Sequence, residues 1–257
     1  MQYVTVVLPL IVIMGVGWTL RRLRVIKGDN SNLEGMLYWG VLPTLIFRSI
    51  FYSGGFAKED VNLLYAVYLS FLIMPFISFV ASPWKKNPAR LGVSLLTCIR
   101  SNNIYMGIPV VSLAMGDVGV TAVSKYLGLS LVGYHILSVA FGQIGFYRKL
   151  NLDTLFGTLK ELSKNPLIIS SILALFCAEV LQIKLPLWVD ESLKMLSEAA
   201  TGLALIALGA GIQLREMVTS IKYTWVDVLM KVAVYPLLVM SLFFVWPVAI
   251  TSETLLY

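Results

Sequence analysis

Arg100, Ser101, Asn102 and Asn103 stand in the middle of an apolar run that begins at Arg90 and ends at Asp117. An arginine and two amides in such a setting can bind an anion together, the guanidinium by charge and the amides by N–H donation. Tyr105 is a further polar candidate beside them, and Gly107 and Pro109 follow within two turns. Proline has no N–H and displaces the carbonyl four residues back, so the helix is weakened there. At about 1.5 Å per residue, Asn102 lies about 18 Å along the run from Arg90. That is near the midplane of a hydrocarbon layer about 30 Å thick. Polar groups at this depth face a cavity or a partner helix. Two arrangements answer to that. One is a discontinuous helix whose unwound backbone and half-helix ends hold a substrate. The other is a proline-kinked helix whose asparagines bond to its neighbours.

Little else in the chain offers chemistry. His135, the one histidine, sits in an apolar stretch without a paired His or Cys, and reads as a packing or interhelical hydrogen-bonding residue. Cys98 and Cys177 lie inside apolar runs and read as buried free thiols. No metal and no cofactor is expected, and no nucleophile–base motif points to an enzyme. No glycine-rich loop ending in Gly-Lys-Ser/Thr is present to bind ATP. Arg48, following Pro43, either lines an outward vestibule or pairs with an acid such as Glu198 or Glu179. Lys125 could attract anions or pair with Asp117. Lys194 and Lys231 fall near span boundaries, where snorkelling is the ordinary behaviour. Glu179, Glu198 and Asp227 are the acids in or near spans that could carry a coupling proton, and none is singled out by position.

The elements that must position these residues follow from composition. Of 257 residues, 58% are hydrophobic and 13% charged, with mean hydropathy +0.82. A soluble domain has roughly 45–50% apolar and about 25% charged residues, so the chain reads as an all-α membrane protein. Eight segments are long and apolar enough to be transmembrane helices, roughly 3–20, 36–53, 62–82, 90–115, 119–146, 166–183, 192–213 and 226–248. The fourth and seventh are weakened by glycines and polar residues. The first lacks a basic lead-in and a small-residue cleavage site, so it reads as a retained helix. A net charge of +6 could suggest nucleic acid, but the basic residues are scattered in short clusters between spans.

Those clusters orient the chain. The odd-numbered loops hold thirteen basic residues: Arg21, Arg22, Arg24, Lys27, Lys85, Lys86, Arg90, Arg148, Lys149, Lys160, Lys164, Arg215 and Lys222. The even-numbered loops hold two, Lys58 and Lys184. By the positive-inside rule the odd loops are cytoplasmic and both termini of the chain lie outside, in a bacterial inner membrane. The longest loop, 147–165, connects two halves and includes an amphipathic stretch around Leu152–Leu162.

The run Asn102-Asn103-Ile104-Tyr105-Met106-Gly107-Ile108-Pro109-Val110-Val111, with Ala114-Met115-Gly116, resembles the first crossover motif of the auxin efflux carrier family. That family includes bacterial permeases of malate and malonate type and belongs to the bile/arsenite/riboflavin transporter superfamily. Weaker resemblances run along the chain in order: Pro9 through Gly15, Gly17 and the basic turn to Val25-Ile26, then Val41–Phe47, Asn165–Ile168 and Gly202–Gly209. The resemblance implies ten helices in two inverted repeats. Here these are 1–150, with the crossover in helix 4 at 100–110, and an incomplete 163–257. It implies a scaffold of helices one, two, six and seven, carrying Pro43, Arg48 and Gly209, and a mobile body with proline-broken helices at the substrate site. It further implies alternating-access transport of small organic anions such as malate, malonate or auxin-like acids, in a lipid bilayer and with a homodimer through the scaffold. On this basis Asn102, Asn103, Arg100, Tyr105, Gly107 and Pro109 are the expected substrate-binding residues. Nothing after the eighth span resembles the ninth or tenth helix. That leaves a non-transporting membrane protein, or a bile-acid/sodium symporter-like carrier, as alternatives.

Overall fold

The computed structural model describes residues 2–26, 30–52 and 60–247, without the side chains of residues 2–6, 60, 214, 215, 217 and 222. Lys27, Lys58 and residues 248–257 therefore lie outside the described residues, as do the side chains of Arg215 and Lys222. All regular structure among the described residues is helical. The helices are α1 (Gln2–Arg22), α2 (Ser31–Met36), α3 (Leu42–Phe51), α4 (Asp60–Ala81), α5 (Pro88–Thr97), α6 (Ile108–Tyr147), α7 (Leu152–Leu162), α8 (Pro166–Leu175), α9 (Leu187–Ala210), α10 (Leu214–Leu229) and α11 (Tyr235–Val245). Four π turns join or extend them, Leu37–Val41, Asn103–Gly107, Phe176–Val180 and Met230–Val234.

Four helical segments are long and apolar enough to cross a bilayer: Val61–Ala81, Asn103–Tyr147, Leu187–Ala210 and Tyr223–Val245. Leu152–Leu162 with Pro166–Val180, bent by 62°, makes a fifth candidate. The second of the four has 45 residues, about 68 Å of helix and about twice the hydrocarbon thickness. It is divided at Gly116, whose φ of 60° and ψ of −146° are not helical. Only glycine takes that conformation without strain. Beyond it the chain folds back, so that a Cβ on Gly119 would lie 2.4 Å from Val111 Cγ1. The fourth and fifth apolar segments thus separate at 116–118, where their hydropathy places the boundary.

Three of the π turns have one cause. Each ends two residues before a proline: Val41 before Pro43, Gly107 before Pro109, Val234 before Pro236. The proline ring would strike the carbonyl four residues back. Here that carbonyl falls inside a wider turn, where N–H groups bond five residues back, as Leu42 to Leu37, Ile108 to Asn103 and Tyr235 to Met230. The extra residue gives the ring room.

Two bodies result. In the first, α1 packs along α9, and α3 packs on α8 and α9. The α1–α9 backbones touch: a Cβ on Gly209 would lie 2.0 Å from the Met14 carbonyl oxygen, and one on Gly17 would lie 2.1 Å from that of Ile206. Helices approach this closely in a membrane only through such small residues. Asn30 Nδ2, buried at the head of α2, donates to the Ala207 carbonyl of α9 over 2.8 Å. In the second body α5 packs along α6, and α4 packs on α6 and α11. The seam between the bodies is apolar, with Leu42, Leu45 and Ile46 of α3 meeting Ile108, Val120 and Leu127 of α6.

The basic loops gather at one end. Arg148 donates to the Lys85 carbonyl over 2.8 Å, and the Arg90 guanidinium lies 4.3 Å over the rings of Trp84 and Tyr223. This draws together the α4–α5 and α6–α7 connections, both in odd-numbered loops of the charge count, and brings the start of α5 against Tyr223 of α10. At the opposite end Asn62, near the start of α4, donates to the Pro247 carbonyl past the end of α11 over 2.8 Å. α7 leaves Leu152, Phe156 and Leu159 exposed, the surface expected of a helix lying against an apolar boundary.

Candidate functional site

The helix breaks between α5 and the Asn103–Gly107 π turn, at Cys98–Asn102. This is one to two turns before Gly107 and Pro109, the residues from which the sequence predicts the break. Pro109 is absorbed by its π turn, and a Cβ on Gly107 would make only ordinary contact, 3.5 Å from Asn103 Cβ. What marks the far edge of the break is Asn102. Its backbone leaves the helical region at φ −83° and ψ 61°, and its side-chain oxygen accepts from the Tyr105 N–H over 3.3 Å. Its carbonyl accepts from the N–H groups of Met106 and Gly107. Asn102 therefore caps the second half-helix with its oxygens, while Nδ2 bonds to no described residue and Ser101 and Asn102 are exposed. The N–H groups of Asn103 and Ile104, at the start of that half-helix, have no intrahelical acceptor.

Polar groups from three other segments converge on the break. Lys231, in the π turn before α11, donates to the Arg100 carbonyl over 2.6 Å. Asp227, four residues earlier on the same helix, accepts from the Ser94 hydroxyl of α5. The Arg100 guanidinium is turned to the far half of α6, where Nε donates to Ser138 Oγ over 2.9 Å. Ser138 in turn donates to the His135 carbonyl. Asn103 Nδ2 donates to Tyr126 OH over 3.3 Å. Two cations and one carboxylate surround an interrupted backbone, and the positive end of a half-helix dipole faces the same place.

A second feature lies at the turn within α6. A cavity of about 590 Å³ opens between α3, α9 and α6, lined by Arg48 and Tyr52, by Lys194 and Glu198, and by Ser112 and Asp117. Arg48 Nε donates to Asp190 Oδ1 over 3.0 Å, and its guanidinium lies 5.1 Å from the centre of the Tyr52 ring.

A family model described as membrane transport protein matches residues 2–256. The chain belongs to this family. It is the family of the auxin efflux carriers whose crossover motif the sequence resembles, and the chain is a multi-pass membrane transporter. No curated protein matches it in sequence.

The sequence expectations map onto this transporter unevenly. Arg100, Asn102, Asn103 and Tyr105 lie at the break, with Gly107 and Pro109 just beyond it, and none of the six lines the large cavity. Tyr105 packs against the buried cluster at the seam, as do Tyr38 and Leu203. Of the vestibule residues, Arg48 lines the cavity, and its acid is Asp190 rather than Glu198 or Glu179. Pro43 lines a shallower groove with Thr44, Phe47 and Ser170, and Gly209 sits in the α1–α9 contact. His135 bonds to the Leu131 carbonyl of its own helix over 2.8 Å and lies against Tyr134. Both cysteines are free thiols.

Lys231 is the residue that sequence reasoning missed. It reads as a snorkelling lysine because the eighth span is drawn from residue 226. The apolar helix begins at Tyr223, which sets Lys231 about 12 Å inside. A lysine that deep needs a partner, and the Arg100 carbonyl freed by the break supplies one.

Proposed function

We propose that this transporter carries small carboxylates across the membrane by alternating access, with Asn102 and the broken backbone around it as the binding place. The observation that carries this reading is the excess of positive charge at the break. Lys231 and Arg100 stand there against the single carboxylate of Asp227, with the Asn102 Nδ2 donor and the N–H groups of a half-helix start beside them. Lys231 and Arg100 attract an anion, and the neutral amide holds it without the strength that would trap it.

The packing supports a two-repeat arrangement, 1–150 and 163–257. If the first and second helices of each repeat correspond, the α1–α9 and α3–α8 pairs are equivalents under an inverted two-fold, and α3–α9 maps on itself. These four helices form the scaffold, and α4–α6 with α10–α11 the moving body. The seam between them is where such a body slides. With the basic loops cytoplasmic and both termini of the chain outside, the cavity at Arg48 faces outward.

Labelled malate, malonate, an indole acid and L-alanine, followed in proteoliposomes with wild-type protein and Asn102→Ala, test the reading. Transport of at least one acid, reduced about tenfold or more by the substitution, is expected from loss of a hydrogen bond to a charged group. Transport equal in both proteins removes Asn102 from the site.

A further inference from the structure

The outer cavity is built for something other than a simple anion. Its charged lining comes from three walls: Arg48 on α3, Lys194 and Glu198 on α9, and Asp117 at the turn within α6. Asp190, which holds Arg48, stands at the head of the same α9 face, four residues before Lys194. Two cations thus share the place with three carboxylates. The remaining lining is dominated by hydroxyls, such as those of Ser49, Ser112, Thr121 and Thr201, with Leu45 and Val120 as its apolar members.

Such a lining has consequences for what can enter. A dicarboxylate would leave its hydration for a region carrying one net negative charge, and the field opposes it. A hydrophobic aromatic acid would face hydroxyls that it cannot satisfy. An amine finds acids but offers nothing to Lys194, since Asp190 is already engaged by Arg48. A ligand carrying both signs satisfies both walls. We propose that this cavity binds small zwitterionic amino-acid-type ligands, the carboxylate set against Lys194 and Arg48 and the ammonium between Asp117 and Glu198. As the intake site of a transport route the assignment rests on the carrier reading above, since it names the carboxylates that the carrier takes. The cavity spans the seam, Asp117 belonging to one body and Glu198 to the other, so a bound ammonium ties the two bodies together.

The test is binding of labelled L-alanine to the protein in lipid nanodiscs, with lactate, malate and ethanolamine as competitors. L-Alanine is expected to bind about tenfold or more tighter than any of the three, the value of one charged hydrogen bond. Glu198→Gln and Asp117→Asn each weaken L-alanine by about tenfold and leave lactate as it was or better. The double variant binds malate more tightly than wild type does, a gain that misfolding cannot produce. Lactate or malate competing as well as L-alanine overturns the assignment, as does L-alanine binding indifferent to both substitutions. Uptake of the same four compounds into proteoliposomes separates the two readings. Selective binding without any uptake keeps the cavity site and sinks the carrier. Uptake without that selectivity does the reverse.

Discussion

Three helices of this transporter meet a proline in the same way, and only one of them breaks. Pro43, Pro109 and Pro236 each follow a π turn at the same offset. Upstream of Pro43 the π turn runs straight into α2, and upstream of Pro236 it runs straight into α10. Upstream of Pro109 the chain leaves the helix at Asn102. The difference lies in the residues six to eight positions before the proline. Before Pro236 they are Val228, Leu229 and Met230, which have no side-chain oxygen to offer the backbone. Before Pro109 they include Ser101, Asn102 and Asn103, whose side chains compete for backbone N–H groups. Asn102 wins the competition by capping Tyr105. Proline widens the helix; a capping residue cuts it. A discontinuous helix in this protein therefore needs both, and the cut is where the polar chemistry collects.

The strongest way to break the comparison is at the groups that hold the cut open. Lys231→Met leaves the Arg100 carbonyl without its donor and Asp227 without its neighbouring cation. An unmet buried carbonyl costs about 1–3 kcal/mol, so the melting temperature in detergent falls and transport drops by more than tenfold. Lys231→Arg keeps the charge, and recovery of transport by it separates an electrostatic role from a packing one. Asn102→Ala removes the cap at a cost of about 1 kcal/mol, and the Nδ2 donor with it. Its transport loss exceeds what the melting shift accounts for. If the two losses match, Asn102 is only a cap.

How much of this was legible beforehand depends on what each residue's neighbours are. Span positions and the basic end follow from local composition, because the bilayer imposes length and charge rules on each segment separately. All eight apolar segments coincide with helices over most of their described residues, the fourth interrupted at Cys98–Asn102, and Gly116 sits at the boundary between the fourth and fifth. The polar centre around Asn102 was legible for the same reason. The exact position of the break was not, since Gly107 and Pro109 are the visible helix-breakers while the cap acts a turn earlier. Lys231 and Ser138 were illegible because their contacts span 131 and 38 residues of sequence. Asp190 was missed as the partner of Arg48 because it lies on the first turn of α9, just upstream of the apolar segment 192–213. Pairing choices between distant helices are decided by packing that no local pattern records.

Pro109→Ala sharpens the comparison rather than breaking it. The alanine restores an N–H and removes the ring, so the π turn can close to an ordinary α turn. Stability changes by less than about 1 kcal/mol, and the cut persists because Asn102 still caps. Removing the extra residue of the π turn rotates everything upstream by about 100° relative to α6. Asn102 turns with it, away from Lys231. Transport is expected to fall several-fold with unchanged melting, and an undiminished rate shows that the π turn does not aim the site.

Pro236→Ala and Pro43→Ala give the smallest effects, and they are unequal. Lys231 lies inside the π turn before Pro236, so closing that turn swings its ammonium off the Arg100 carbonyl and reproduces part of the Lys231→Met loss. The turn before Pro43 contains Tyr38 and Trp39 but none of the groups at the break. Closing it repacks Tyr38 at the seam and changes stability by about 0.4–1 kcal/mol, with transport within about twofold of wild type, under 0.5 kcal/mol in effect. The two variants share one chemistry and one local geometry. A larger transport defect in Pro43→Ala than in Pro236→Ala shows that the seam, and not the break, governs the rate.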